Sequence, residues 1–148
     1  MEKDVIISIK GVQRYENADP DTMELVTAGR LEREGNSYTL SYQESELTGL
    51  EGTLTTFQIE PERITLMRVG EFNSQMVFQE GRRHMSMYNT PYGAMTIGVN
   101  TRYLLAELDD QGGEIEIDYA IEIDHSVAGR NTFQINVKEA EGAVSLQA

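Results

Sequence analysis

At 148 residues the chain fits one domain, because units of roughly 100–200 residues carry a single core and no low-complexity stretch divides this one. An apolar share of 39% excludes the disordered class. A formal charge of −13, from 12 basic against 25 acidic side chains, makes DNA, RNA and anionic membrane surfaces poor partners, since these are held by neutralising phosphates with Lys and Arg. The charge serves solubility and protects sheet edges from association.

With no cysteine, stability rests on packing, and thiolate zinc sites and Cys nucleophiles are ruled out. The start, Met1-Glu2-Lys3-Asp4, carries both signs of charge and leads into a short alternating run, so no signal peptide is visible. No apolar run approaches the roughly 20 residues of a spanning helix. A cytoplasmic address is the expectation.

Along the chain, period two recurs from end to end. Val5, Ile7 and Ile9 alternate with Ser8 and Lys10; Met23, Leu25, Gly29 and Leu31 with Glu24, Arg30 and Glu32; Tyr38, Leu40 and Tyr42 with Thr39, Ser41 and Gln43. Each reads as a half-buried strand. Ile64 and Leu66 lead a short run, Phe72, Met76 and Phe78 face away from Asn73, Gln75 and Gln79, and Met85 and Met87 share a face opposite His84, Ser86 and Tyr88. Met95, Ile97 and Val99 continue the series. Residues 101–108 are the best helical candidate, yet Tyr103, Leu104, Leu105 and Leu108 suit a strand as well. The clearest strand sets Ile115, Ile117, Tyr119, Ile121 and Ile123 against Glu114, Glu116, Asp118, Glu122 and Asp124, and Phe133, Ile135 and Val137 close the list.

Turns fall between these runs at Glu34-Gly35-Asn36, Glu60-Pro61-Glu62, Glu80-Gly81-Arg82 and Asp109-Asp110-Gln111-Gly112-Gly113. Connections this short make neighbours antiparallel. Roughly ten strands with one apolar face each must form a sandwich or a barrel. Strand length favours the barrel, because residues 113–124 would extend about 37 Å, suited to strands that tilt around a closed sheet. Gly29 and Gly98, each inside a strand pattern, are places where such strands could bend. The fold expected is all-β, a single antiparallel closed barrel of about eight to ten strands over residues 1–140, with 141–148 as a flexible tail.

Several stretches carry a resemblance. The run Tyr42-Gln43-Glu44-Ser45-Glu46-Leu47-Thr48-Gly49-Leu50-Glu51-Gly52-Thr53, with Met67-Arg68-Val69-Gly70, Gln75-Met76-Val77-Phe78 and Tyr88-Asn89-Thr90-Pro91-Tyr92-Gly93, resembles the YwiB-like family of bacterial β-barrel proteins. The similarity begins at Asp4-Val5-Ile6-Ile7-Ser8-Ile9-Lys10-Gly11 and reaches about Lys138. It implies a lipocalin-like, calycin-type barrel, and it implies no activity, cofactor or catalytic residue.

Candidate chemistries are few. The five carboxylates between Glu114 and Asp124 share a face, but same-face neighbours lie about 6.8 Å apart, too far for more than two to share one Ca²⁺, so a solvated face is expected. Met85-Ser86-Met87 with Met76 and Met95 offers thioethers suited to Cu(I), or simply core filler. Only His84 and His125 could serve a Ser or Thr nucleophile, and no G-x-S-x-G, H-E-x-x-H or P-loop pattern is present. Glu44 and Glu46 have the spacing of a carboxylate pair and equally of a polar strand end. Thr48-Gly49-Leu50-Glu51-Gly52 reads as a hairpin turn, since an acid sits within it and no helix follows.

Polar groups on apolar faces are more informative. Arg68 shares parity with Ile64 and Leu66, and Tyr42 with Tyr38 and Leu40. Arg68 either lies at the strand's end, in water or paired with Glu44 or Glu46, or points inward as an anion-recognition group. The expected function is a non-catalytic, lipocalin-like barrel binding a small apolar or amphipathic ligand through Tyr42, Arg68, Met76, Met85, Met87, Tyr88 and Tyr92. No catalytic residue, metal or cofactor is assigned, and the chain is expected to be a monomer or homodimer. The alternative is a structural or protein-interaction domain with a filled barrel; an enzyme is the third reading. An open interior of about 300 Å³ or more separates the first from the second.

Overall fold

The structure, a computed structural model, describes residues 1–15, 18–46, 48–71, 73–90, 93–124 and 126–140, without the side chains of 88–90. Ten strands follow one another: β1 (Glu2–Arg14), β2 (Asp21–Glu34), β3 (Ser37–Gln43), β4 (Thr53–Ile59), β5 (Ile64–Gly70), β6 (Ser74–Phe78), β7 (Arg83–Thr90), β8 (Gly93–Asp109), β9 (Gly112–Ile123) and β10 (Ser126–Glu139). Each pairs antiparallel with its chain neighbour, and β1 pairs with β10 to close the barrel. Among the described residues there is no helix. Residues 101–108 belong to β8, whose 17 residues carry a bulge between Thr101 and Tyr103.

Alternation fixes which side of each strand is inside, since a one-residue slip would turn every apolar side chain to water. Ile7 faces Thr27 and Val137, and Ile9 faces Leu25 and Ile135, so inward residues stack in rows across strands. The resulting core runs through Leu31, Leu40, Phe57, Ile64, Ile117 and Phe78, each at most 2% exposed. The β8–β9 turn requires two glycines: Gly112 and Gly113 have φ of 128° and 145°, a region that side chains with a Cβ avoid.

Two expectations about these strands change. Gly29 serves close packing: a Cβ there would fall on the Cδ1 of Ile7 and the carbonyl oxygen of Ser41. Gly98 faces outward beside Arg83 and Glu122, and the registers shift elsewhere, at Thr101/Tyr103 and Val127/Gly129. The second change concerns β7. Met85 and Met87 are 58% and 59% exposed, while Ser86 is buried. Ser86 is registered opposite buried Ile97, and His84 opposite buried Val99, so the inner face of β7 is its polar face and the methionines are outside. Phe72, His125 and residues 141–148 lie outside the described residues.

Candidate functional site

The barrel is packed over one part of its length and open at one end. A ring contact between Phe78 and Tyr119 (centroids 4.7 Å apart), continued by Tyr119 and Phe133 (5.8 Å), lies where the core meets the opening. Beyond these rings is a cavity of about 380 Å³, walled by Leu66, Arg68, Met76, Met95, Tyr119 and Asn131 among others. A second hollow of about 280 Å³ adjoins it and shares Met23, Tyr119, Asn131 and Phe133. A wider groove of about 570 Å³ lies outside the barrel: Ser8, Lys10, Glu116 and Gln134 in it alternate with buried Ile9, Ile115 and Ile135.

Register places the polar residues of the opening. Tyr42 on β3 faces Thr55 on β4, Thr55 faces Arg68 on β5, Arg68 faces Ser74 on β6, Ser74 faces Tyr88 on β7, and Tyr88 faces Met95 on β8. One registered row thus crosses six strands, and Tyr42, Thr55, Arg68 and Ser74 face inward along it. Ser74 with Tyr88 is the only registered pair between β6 and β7 among the described residues, so barrel closure is thinnest there.

Glu44 completes this row from the connection after β3. Its backbone N–H donates to the carbonyl of Thr53, which extends the ladder by one step and turns the side chain inward. The carboxylate is 1% exposed, accepts from the hydroxyls of Thr48 (2.9 Å) and Thr55, and lies 3.8 Å from Nε of Arg68. Glu46 is exposed, so the two glutamates do not face one another. Arg68 keeps 21% of its side chain accessible, yet its Nε is buried and has no hydrogen-bond partner among the described residues. Its charge is therefore balanced by an ion pair, while its buried Nε–H donates to none of the described residues.

Two phenols flank the guanidinium. Burial, and after it the Glu44 carboxylate, pushes the Tyr42 hydroxyl well above its ordinary value, against the pull of Arg68. Tyr119 is pushed up to about 12 by burial, opposed by its hydrogen bond with Asn131 and by Arg68. The Asn131 amide donates to the Tyr119 oxygen at 3.2 Å. Both phenols stay protonated at neutral pH, which makes them donors and not bases.

Of the residues singled out from sequence, Tyr42, Arg68 and Met76 meet at this end: Tyr42 and Arg68 share the inward row, and Arg68 and Met76 line the cavity. Met85 and Met87 do not, because they are on the outer face. Tyr88 has the right register, but its side chain and the whole of Tyr92 lie outside the described residues. Thr55, Tyr119 and Asn131 were not singled out as site residues. Thr55 was findable from its parity with Phe57 and Ile59, and Asn131 from its parity with Phe133 and Ile135.

The family model for a domain of unknown function, DUF1934, matches residues 7–135. The chain belongs to this family. Its fold is similar to the crystal structure of the YwiB protein from Bacillus subtilis, with a TM-score of 0.82 at 20% identity over 93% of this chain and 92% of that one. At that identity the likeness speaks for the fold alone. No curated protein matches the chain.

Proposed function

We propose that the protein is a non-catalytic binding module whose barrel receives a small apolar or amphipathic ligand at its open end, in the manner of a lipocalin. The observation that carries this reading is the cavity of about 380 Å³ continuous with the core, within the size range of small-molecule sites and walled by apolar side chains with a few convergent polar groups. The tail of a ligand would lie against Met76, Met95, Ile97 and Ile121, and its polar end would meet Arg68. Methionine suits such a wall because its flexible thioether adapts to several shapes.

The test is a titration with the uncharged dye Nile red, alongside Ala128→Trp. Ala128 is exposed and lines the cavity, so an indole there fills the opening without disturbing the core. Saturable dye binding by the parent, lost in the variant at an unchanged melting temperature, supports the reading. No binding by the parent, of the dye or of an apolar and amphipathic panel, overturns it.

A second reading, a structural or protein-interaction domain, is favoured by a different observation. Met85, Met87, Val69 and Leu54 leave 41–62% of their surface exposed on outward-facing positions, more apolar surface than a solvated face needs. This reading takes first place if the cavity binds nothing.

A further inference from the structure

Resting on the binding reading above, we infer that the head group the cavity selects is an uncharged carbonyl-bearing one, of the carboxamide type, and not a carboxylate. An arginine in a cavity suggests an acid at first sight, but here the countercharge is built in. Glu44 is 1% exposed, 3.8 Å from the Arg68 Nε, and fixed by Thr48 and Thr55. Among the described residues lining the cavity Arg68 is the only cation, and those of the adjoining hollow add none, their one charged residue being Asp21. A ligand carboxylate would therefore put two carboxylates on one guanidinium, in a chain already at −13. Like charges converging in a poorly solvated site repel strongly.

What is unsatisfied at this end is hydrogen bonding, not charge. Among the described residues the Arg68 guanidinium makes no hydrogen bond, and a planar fork of N–H donors matches a carbonyl oxygen as well as an anion. Asn131 gives one N–H of its amide to Tyr119, and its own carbonyl is an acceptor at the cavity wall. A carboxamide answers both: its oxygen accepts from Arg68 and its N–H donates to Asn131. An alcohol has to serve both from a single oxygen, whereas the carboxamide sets donor and acceptor on separate atoms, and a carboxylate has no proton for the Asn131 carbonyl.

The experiment compares octanamide, octanoic acid and octan-1-ol by calorimetric titration at neutral pH against the parent, Glu44→Gln and Asn131→Leu. The parent should bind the amide about tenfold or more tighter than the acid, the ratio that one charge-assisted hydrogen bond supplies. Glu44→Gln removes the built-in countercharge and should reverse the order, so that the acid binds best. Asn131→Leu removes the acceptor at the opening while leaving Glu44 and Arg68 in place, and should bring the amide down to the alcohol with the fold kept. If the parent prefers the acid, or Glu44→Gln leaves the order unchanged, the head-group assignment falls while the binding reading stands. If none of the three compounds nor Nile red binds the parent, the binding reading falls with it.

Discussion

The packed part of the barrel and its open end are built from the same strands, and they differ in what the inward positions carry. Ile9, Ile135 and Ile115 in one row, and Leu40, Phe57 and Leu66 in another, are aliphatic or aromatic and nearly or wholly buried. Further along the same strands the inward positions become Tyr42, Thr55, Arg68 and Ser74 on one side and Gln13, Asn131 and Tyr119 on the other. Large side chains fill the first part completely. Polar ones must be solvated or paired, so they hold the second part open. A barrel can thus be both a rigid scaffold and a receptacle, with the division set by where the polar residues enter each strand.

The largest expected difference between the two regions is the cost of truncation. Ile117 is fully buried, so Ile117→Ala should lose about 2–5 kcal/mol of unfolding free energy, since the emptied volume cannot relax. Met95 is 37% exposed at the cavity wall, and Met95→Ala should cost less than about 1 kcal/mol. Urea denaturation of both variants measures this. Equal losses would mean that the open end is as tightly packed as the core.

Next in size is the ion pair that joins the two regions. Arg68→Met keeps much of the stem packing but leaves the Glu44 carboxylate buried and without its cation, a loss of about 2–3 kcal/mol, at the low end for a broken buried pair because Arg68 is partly exposed. The double variant Glu44→Gln/Arg68→Met should recover most of that loss. A double variant no more stable than the single one would show that Glu44 is held by its threonine hydroxyls alone.

How much of this contrast can be seen in the sequence depends on which residues carry the period. β9 is legible because isoleucines and a tyrosine occupy every inward position from 115 to 123, and the inward parity of Arg68 follows from Ile64 and Leu66. β4 is hidden because its inward positions begin with Thr53 and Thr55, both fully buried, before Phe57 and Ile59 restore the pattern. On β7 the signal is inverted, since the apolar methionines face out and Ser86 faces in. Glu44 illustrates a different limit: its role depends on the chain continuing one ladder step beyond β3, where Thr53 receives its N–H. Hydropathy carries no trace of that bond.

Base sensitivity offers a third, smaller measure of the open end. Tyr42 and Tyr119 both ionise above their ordinary value of 10.0 in the folded chain, chiefly through burial. Their contribution to stability is fully present below about pH 10 and is lost as pH rises, because the unfolded chain releases these protons first. Each should remove about 1.4 kcal/mol per pH unit above that point, until its own folded value is reached, about pH 12 for Tyr119. Denaturation midpoints of the parent and of Tyr119→Phe between about pH 9 and 12 should diverge in slope. Parallel curves would mean that water reaches the Tyr119 hydroxyl and that the opening extends deeper than its aromatic floor.

The smallest effects are expected outside the barrel, where neither packing nor pairing is at stake. Glu116 and Asp118 alternate with buried Ile115, Ile117 and Tyr119 on β9 and face Gln134 and Thr132 across the ladder, and neither makes a salt bridge among the described residues. Glu116→Gln with Asp118→Asn should therefore shift stability by about 0.5 kcal/mol or less. A neighbouring pair sets the direction of what remains. Glu107 and Glu114 are registered directly opposite each other, and like charges so placed repel, so Glu107→Lys should stabilise by a few tenths of a kcal/mol, roughly the worth of a favourable cross-strand pair. The gain should shrink as salt is raised, because exposed charges are screened over about 10 Å at 0.1 M. A loss of more than about 1 kcal/mol in the double variant, or a melting point that rises with added calcium, would reveal a site on this face that the spacing of its carboxylates argues against.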